Sequence, residues 1–224
     1  MEPVAPLPTL QLEGRAEPFT VRRIMCVAKN YAAHAREMGS DPSREPPTFF
    51  GKPLSSLHSG DGELAYPRET SQLHYEVELV LAIGRGAQGP IAPSDADGLV
   101  VGVGCGIDFT RRDLQQDAKR RGWPWDLAKG FRGAAPVSAL VAAPHLPALG
   151  RISLEVNGVV KQESDLSHMI WNCQEVLAQL SRYDDLEPGD LVFTGTPAGV
   201  GEVRRNDHLV AAVENVGQLA VRIA

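Results

Sequence analysis

Short apolar runs, most of them under ten residues, recur along the chain and are separated by Gly, Pro and Asn turns. Runs at 22–27, 48–53 and 191–194 predict strands. The segment 74–83 alternates, with His74, Glu76, Glu78 and Val80 on one face and Tyr75, Val77, Leu79 and Leu81 on the other. A second, glycine-rich strand is predicted over 98–108 (GLVVGVGCGID) and ends in an acid. Two alternating runs meet at Asn157-Gly158 within 151–162, the signature of a hairpin with a type I′ turn. Residues 209–223 alternate as one or two last strands. Helical spacing is rarer. Asn30 is placed to cap a helix through Met38 that Gly39 stops, and 111–121 has the polarity of an exposed helix. Asn172 and Glu175 form a capping-box pattern before Val176, Leu177, Leu180 and Tyr183. Many strands and few helices predict an α+β fold rather than a βαβ repeat. One domain over 21–224 is expected, preceded by a Pro-rich arm, 1–20.

Composition narrows the function. Hydrophobic residues make up 43% of 224, enough for a core that holds a site rigidly, and the 22 Gly and 17 Pro agree with many tight turns. The net charge of -6 argues against a duplex nucleic-acid partner, which needs a basic face. No apolar run is long enough to span a membrane, and the first residues lack the basic and apolar regions of a signal peptide, so a cytoplasmic protein is expected. Cys26, Cys105 and Cys173 are widely spaced and read as buried thiols.

The sharpest chemical signal is Glu76-Val77-Glu78 in an apolar strand. Period 2 puts both carboxylates on one face about 7 Å apart, where like charges repel unless a cation sits between them or the face is solvated. Asp108, at the end of the glycine-rich strand, supplies a third carboxylate. Three hard oxygen donors suit Mg²⁺, Mn²⁺ or Ca²⁺ and not zinc, and His74, on the face of Glu76, leaves a mixed site open. His34 and Glu37, three apart on a helix, have the spacing of an imidazole base and its orienting acid, and equally of an ordinary surface pair. Lys129 follows Trp123-Pro124-Trp125 and precedes Gly130-Phe131, which places its ammonium in a semi-apolar loop or lets it reach solvent. The segment 189–201 (GDLVFTGTPAGVG) lacks the ending of a P-loop and reads as a strand and turn, with Thr194 and Thr196 available to an anionic ligand.

Taken in order, NYAAHAREM, FFGKP, HYEVELVLAIG, GCGIDFTRRDLQ, PWDLAKGF and GDLVFTGTPAGVG resemble the motifs of the fumarylacetoacetate hydrolase family, from Cys26 to Gly201. The likeness is greatest to its short acylpyruvate hydrolases. It implies a mixed β-roll, a homodimer, and a Mg²⁺ or Mn²⁺ site made by Glu76, Glu78 and Asp108. It further implies His34 and Glu37 as a water-activating dyad and Lys129 as an oxyanion or metal-site partner. Arg112, Gln115 and Thr196 become expected contacts to a small 2-oxo acid substrate, with Lys52 a further candidate. The implied reaction is hydrolysis of a carbon-carbon bond in a 3-acylpyruvate such as fumarylpyruvate, with oxaloacetate decarboxylation or 2-oxo diacid isomerisation as the same chemistry on another bond, and a non-catalytic ligand-binding protein that keeps the fold as the remaining alternative. Two departures stand out: Ala28-Lys29 replaces a common Gly-Arg, and Gly51 precedes Lys52-Pro53 where short members carry a side chain. Arg36, Arg44, Lys52 and Arg111 all remain open as the cation for a distal carboxylate.

Overall fold

A seven-stranded mixed sheet runs in the order Thr48–Lys52, Arg23–Ala28, Asp190–Phe193, Val77–Ile83, Val100–Ile107, Ala135–Val137, Leu57–Ser59. This computed structural model describes residues 6–37, 39 and 46–224. Among the described residues strand exceeds helix, 40% against 19%, the α+β balance that the pattern predicts. A five-stranded sheet, Val159–Asp165, Arg151–Val156, His208–Val213, Gly217–Ile223 and Gly62–Leu64, packs on one face of the larger sheet and closes the roll.

The central strand Val77–Ile83 is buried throughout. Its alternate residues Leu79, Leu81 and Ile83 enter the core shared with Ile152, Leu154, Leu209 and Leu219. Val80 and Ala82 enter a second core with Ile24, Cys26, Leu191 and Phe193. Full burial of each such large side chain contributes about 1.5–3 kcal/mol. Glycines in the partner strand let the layers close: a Cβ on Gly106 would lie 2.7 Å from Val80 Cγ2 and 2.9 Å from Phe193 Cε1. Leu10 and Leu12, beside the short pairing of Thr9–Leu10 with Phe19–Thr20, cover the second core.

The hairpin turns at Asn157-Gly158 with positive φ at both residues, 52° and 76°, as a type I′ turn requires. The capping box at Asn172 and Glu175 forms at the start of Cys173–Leu180. All three cysteines are buried and free.

Four local expectations need correction. Residues 74–83 are not one strand, because the chain changes sheet at Glu76: Leu73–Tyr75 pairs with Thr110–Arg111 and Gly201–Val203, and only Val77–Ile83 joins the large sheet. Alternation reports faces and is blind to a change of partner. Asn30 does not cap the helix Ala32–Glu37. Its side-chain amide donates to the carbonyls of Trp171 and Thr194 and its Oδ1 accepts from the Trp171 N–H, so long-range backbone groups win over the local cap. Met38 lies outside the described residues. The helix Arg112–Arg121 is exposed only on its outer side, since Arg112, Gln115 and Ala118 are buried. Tyr183 lies beyond its helix and is exposed, its ring edge on Phe49.

Candidate functional site

Sheet register assembles the three carboxylates. Val77 pairs with Ile107 and Glu78 with Gly106, and the Asp108 N–H donates to the Glu76 carbonyl, so Glu76 and Asp108 stand side by side where the two strands end. One oxygen from each of Glu76, Glu78 and Asp108 falls within 4.8 Å of the others, and all three residues are buried. That spacing lets a single divalent ion touch all three at ordinary oxygen distances of about 2.0–2.6 Å.

The cations around the group are unevenly shared. Lys129 Nζ donates to Asp108 Oδ2 at 2.6 Å and to Glu76 Oε2 at 2.9 Å. Arg112 Nη2 pairs with Glu76 Oε1, and its Nη1 donates to Gln115 Oε1 at 2.6 Å. Lys52 Nζ is ion-paired with Asp108 Oδ1 at 2.7 Å and also donates to the carbonyls of Lys129 and Phe109. Glu78 receives the Gly195 N–H at 2.6 Å, while the three cations contact the other two carboxylates.

The titrations follow this arrangement. Burial opposes the charge of Glu76, yet Lys129 and Arg112 outweigh it and hold its carboxyl well below the usual range. Burial, then Asp108 and Glu76, push Glu78 well above it. Burial works against the Lys129 ammonium, but Asp108 and Glu76 raise it overall. Three buried carboxylates with an oxygen each inside 4.8 Å, one of them, Glu78, paired with none of the three neighbouring cations, fit a hard divalent cation. His74 does not join them: it lies toward Arg112, whose Nε is 3.5 Å from its Nδ1, and burial and Arg112 both lower its pKa. Burial pushes the Cys105 and Cys173 thiols up to about 12, as structural thiols require.

His34 lines the same pocket as the three carboxylates. Its Nδ1 is 3.0 Å from Glu37 Oε2, which leaves Nε2 for chemistry. Glu37 is held in turn by the Gly199 N–H, at 3.1 and 3.3 Å to its two oxygens. Gln115 and Thr196 also line the pocket. His34, Glu76, Glu78, Asp108, Arg112, Gln115, Lys129 and Thr196 therefore line one pocket, with Glu37 held against His34 and Lys52 in contact with Asp108 behind the wall, whereas the Thr194 hydroxyl donates to the Leu79 carbonyl and does not face the pocket.

Sequence reasoning missed two groups. Gln162, buried in the hairpin strand Val159–Asp165, donates to Thr196 Oγ1 at 2.8 Å and to the Pro197 carbonyl, and accepts from Val77 N–H. Its position after an apolar run gave no sign of this, since the contact depends on the five-stranded sheet folding over the site. Phe50, Trp125, Lys29 and Lys119 complete the pocket wall. A cavity of about 350 Å³ lined by Phe49, Phe50, Trp123 and Trp125 adjoins it.

A strand-rich roll with a buried oxygen-donor cation site and a His-Glu pair in one pocket defines the class, an enzyme fold built around a divalent-metal centre. The chain belongs to the fumarylacetoacetate hydrolase family: residues 23–224 match the family described as fumarylacetoacetate (FAA) hydrolase C-terminal. A solved structure of fumarylpyruvate hydrolase from Pseudomonas aeruginosa, in complex with Mn²⁺ and pyruvate, is 45% identical with a TM-score of 0.95, covering 100% of this chain and 98% of that one. Fumarylpyruvate hydrolase from a Ralstonia species is 40% identical over 82% of this chain and 95% of that protein. The human mitochondrial oxaloacetate tautomerase FAHD1 is 35% identical over 90% and 91% respectively. Among the described residues no helix is long and apolar enough to cross a membrane.

Proposed function

We propose that this protein is a divalent-metal-dependent hydrolase of 3-acylpyruvates, with fumarylpyruvate as its preferred substrate, giving fumarate and pyruvate. The observation that carries this reading is the buried Glu76, Glu78 and Asp108 group sharing one pocket with the His34-Glu37 pair. Likeness to a fumarylpyruvate hydrolase solved with Mn²⁺ and pyruvate supports it.

Mg²⁺ or Mn²⁺, held by Glu76, Glu78 and Asp108, with Ca²⁺ as a substitute in vitro, supplies positive charge for the 1-carboxylate and 2-oxo oxygen of the substrate. Arg112, Gln115 and Thr196 orient that end of the molecule. His34, its ring fixed by Glu37, takes a proton from water at Nε2 as the oxygen attacks the distal carbonyl. Lys129 stabilises the charge that develops there. The carbon-carbon bond then breaks, the new carboxylic acid keeps the water oxygen, and pyruvate leaves as its enolate, whose carbon takes the proton that His34 had accepted from water. A homodimer in the cytoplasm, active in aromatic-acid breakdown, and a catalytic domain over 21–224 belong to the same reading.

Likeness to oxaloacetate tautomerase favours a second reading, in which the same centre shifts or removes a proton without water attack. Decarboxylation and isomerisation of 2-oxo diacids share that enolate chemistry. The test follows loss of the diketone-enol absorbance of fumarylpyruvate with and without Mg²⁺, beside acetylpyruvate and oxaloacetate. Metal-dependent loss strongest for fumarylpyruvate supports the proposal; turnover of oxaloacetate alone moves the protein to the second reading.

A further inference from the structure

A diacid such as fumarylpyruvate carries a second carboxylate at the end away from its 2-oxo acid, and that charge needs a cation in the pocket wall. Of the four cations open on sequence grounds, Lys52 is buried beneath the site and committed to Asp108 and two carbonyls. Arg111 stacks over Phe131 at 4.6 Å and donates to the Leu127 carbonyl. Arg36 is exposed and does not line the pocket, and Arg44 lies outside the described residues.

The wall holds another candidate. The helix Arg112–Arg121 turns Arg112, Gln115 and Lys119 to one side, at i, i+3 and i+7, and all three line the pocket. Two turns, about 10 Å along the axis, separate the first from the last. Arg112 and Gln115 are bonded to each other at the carboxylate end. Lys119 is exposed, its ammonium folded over the Trp125 ring at 5.3 Å, and no carboxylate of the described residues is paired with it. The acid two positions earlier, Asp117, is taken by Arg120 and Arg121. Partial desolvation, then the nearby Arg112 and Lys29, disfavour the Lys119 charge.

We propose that Lys119 is the specificity-determining cation of the pocket and receives the distal carboxylate of a dianionic 3-acylpyruvate, with Trp125 holding its ammonium at the mouth. This rests on the acylpyruvate reading above. It is tested with Lys119→Met and Lys119→Arg, assayed with Mg²⁺ on fumarylpyruvate and on acetylpyruvate, which lacks the second carboxylate. The preference in kcat/KM for fumarylpyruvate over acetylpyruvate falls about 10- to 100-fold in Lys119→Met, through KM, and is largely kept in Lys119→Arg. An unchanged preference in Lys119→Met, or the loss appearing in Lys29→Gln instead, overturns the assignment. Should the wild type turn over neither substrate, the acylpyruvate reading fails, and calorimetry with 2-oxoglutarate and 2-oxobutyrate still decides the role of Lys119. A diacid preference abolished by Lys119→Met supports it; equal affinities in the wild type contradict it.

Discussion

His34 Nδ1 and Glu37 Oε2 stand 3.0 Å apart, one turn along the short helix Ala32–Glu37. The pair is no loose surface contact, because His34 is 5% exposed and Glu37 is anchored from the far side by the Gly199 N–H. In the proposed mechanism this orientation turns Nε2 toward the attacking water. Replacement His34→Ala is expected to lower kcat for acylpyruvate hydrolysis by about 10²- to 10⁴-fold. Glu37→Gln, which keeps a hydrogen-bond acceptor, costs less. Enolate chemistry on oxaloacetate, if the protein has it, survives His34→Ala better than hydrolysis does; equal loss of both in steady-state assays would falsify the assignment of the pair to water attack.

Gly199 carries this anchor at φ 95°, where a side chain is strained, and a Cβ there would strike the Lys161 carbonyl. Gly199→Ala therefore shifts the loop as well as the N–H that holds Glu37. The expected cost is about 1–3 kcal/mol in stability, read by urea denaturation, together with a fall in kcat. A variant of full stability and full activity contradicts the anchoring role.

Glu78, raised by burial and by Asp108 and Glu76, gives the metal a definite pH dependence. Below its raised pKa the carboxyl holds a proton that a divalent ion must displace, so Mn²⁺ affinity rises with pH and binding releases a proton. In EDTA the sign for stability is opposite. A carboxyl whose pKa is raised on folding contributes stability that is complete below its unfolded value of about 4.3 and is lost as pH rises through the folded value. Urea midpoints measured across pH should fall in EDTA over that upper window, and Mn²⁺ should abolish the fall. Glu78→Gln removes both effects; a wild type indifferent to pH in EDTA speaks against them.

Gln162 joins three segments through one amide, to Val77, Thr196 and Pro197. Gln162→Leu leaves the Val77 N–H without a partner in the interior, at a cost of about 1–3 kcal/mol. Because Thr196 loses its support as well, KM should rise. Denaturation and steady-state kinetics on one preparation check both, and unchanged values would show the amide to be dispensable.

Much of this site is legible in the sequence because its parts are local patterns. Glu76 and Glu78 betray themselves as two anions in an apolar strand, His34 and Glu37 as a one-turn pair, and Asn157-Gly158 as a turn that only positive φ satisfies. What the sequence conceals is long-range. The break at Glu76 depends on pairing with Thr110–Arg111 and Gly201–Val203. Asn30 looks like a helix cap until Trp171 and Thr194 bring it stronger partners. Lys119 reads as one more charge in a basic helix end; its exposure to the pocket follows from the inward turn of Arg112 and Gln115.

The central claim is that a cation held by Glu76, Glu78 and Asp108 is required for acylpyruvate turnover. Its most direct test strips the protein with a chelator and titrates Mn²⁺ back while following loss of the diketone-enol absorbance of fumarylpyruvate. Activity should return in proportion to bound Mn²⁺ and saturate at one ion per chain, with Glu78→Gln failing to recover. Full turnover by the stripped protein, or none at saturating Mn²⁺, would contradict the account.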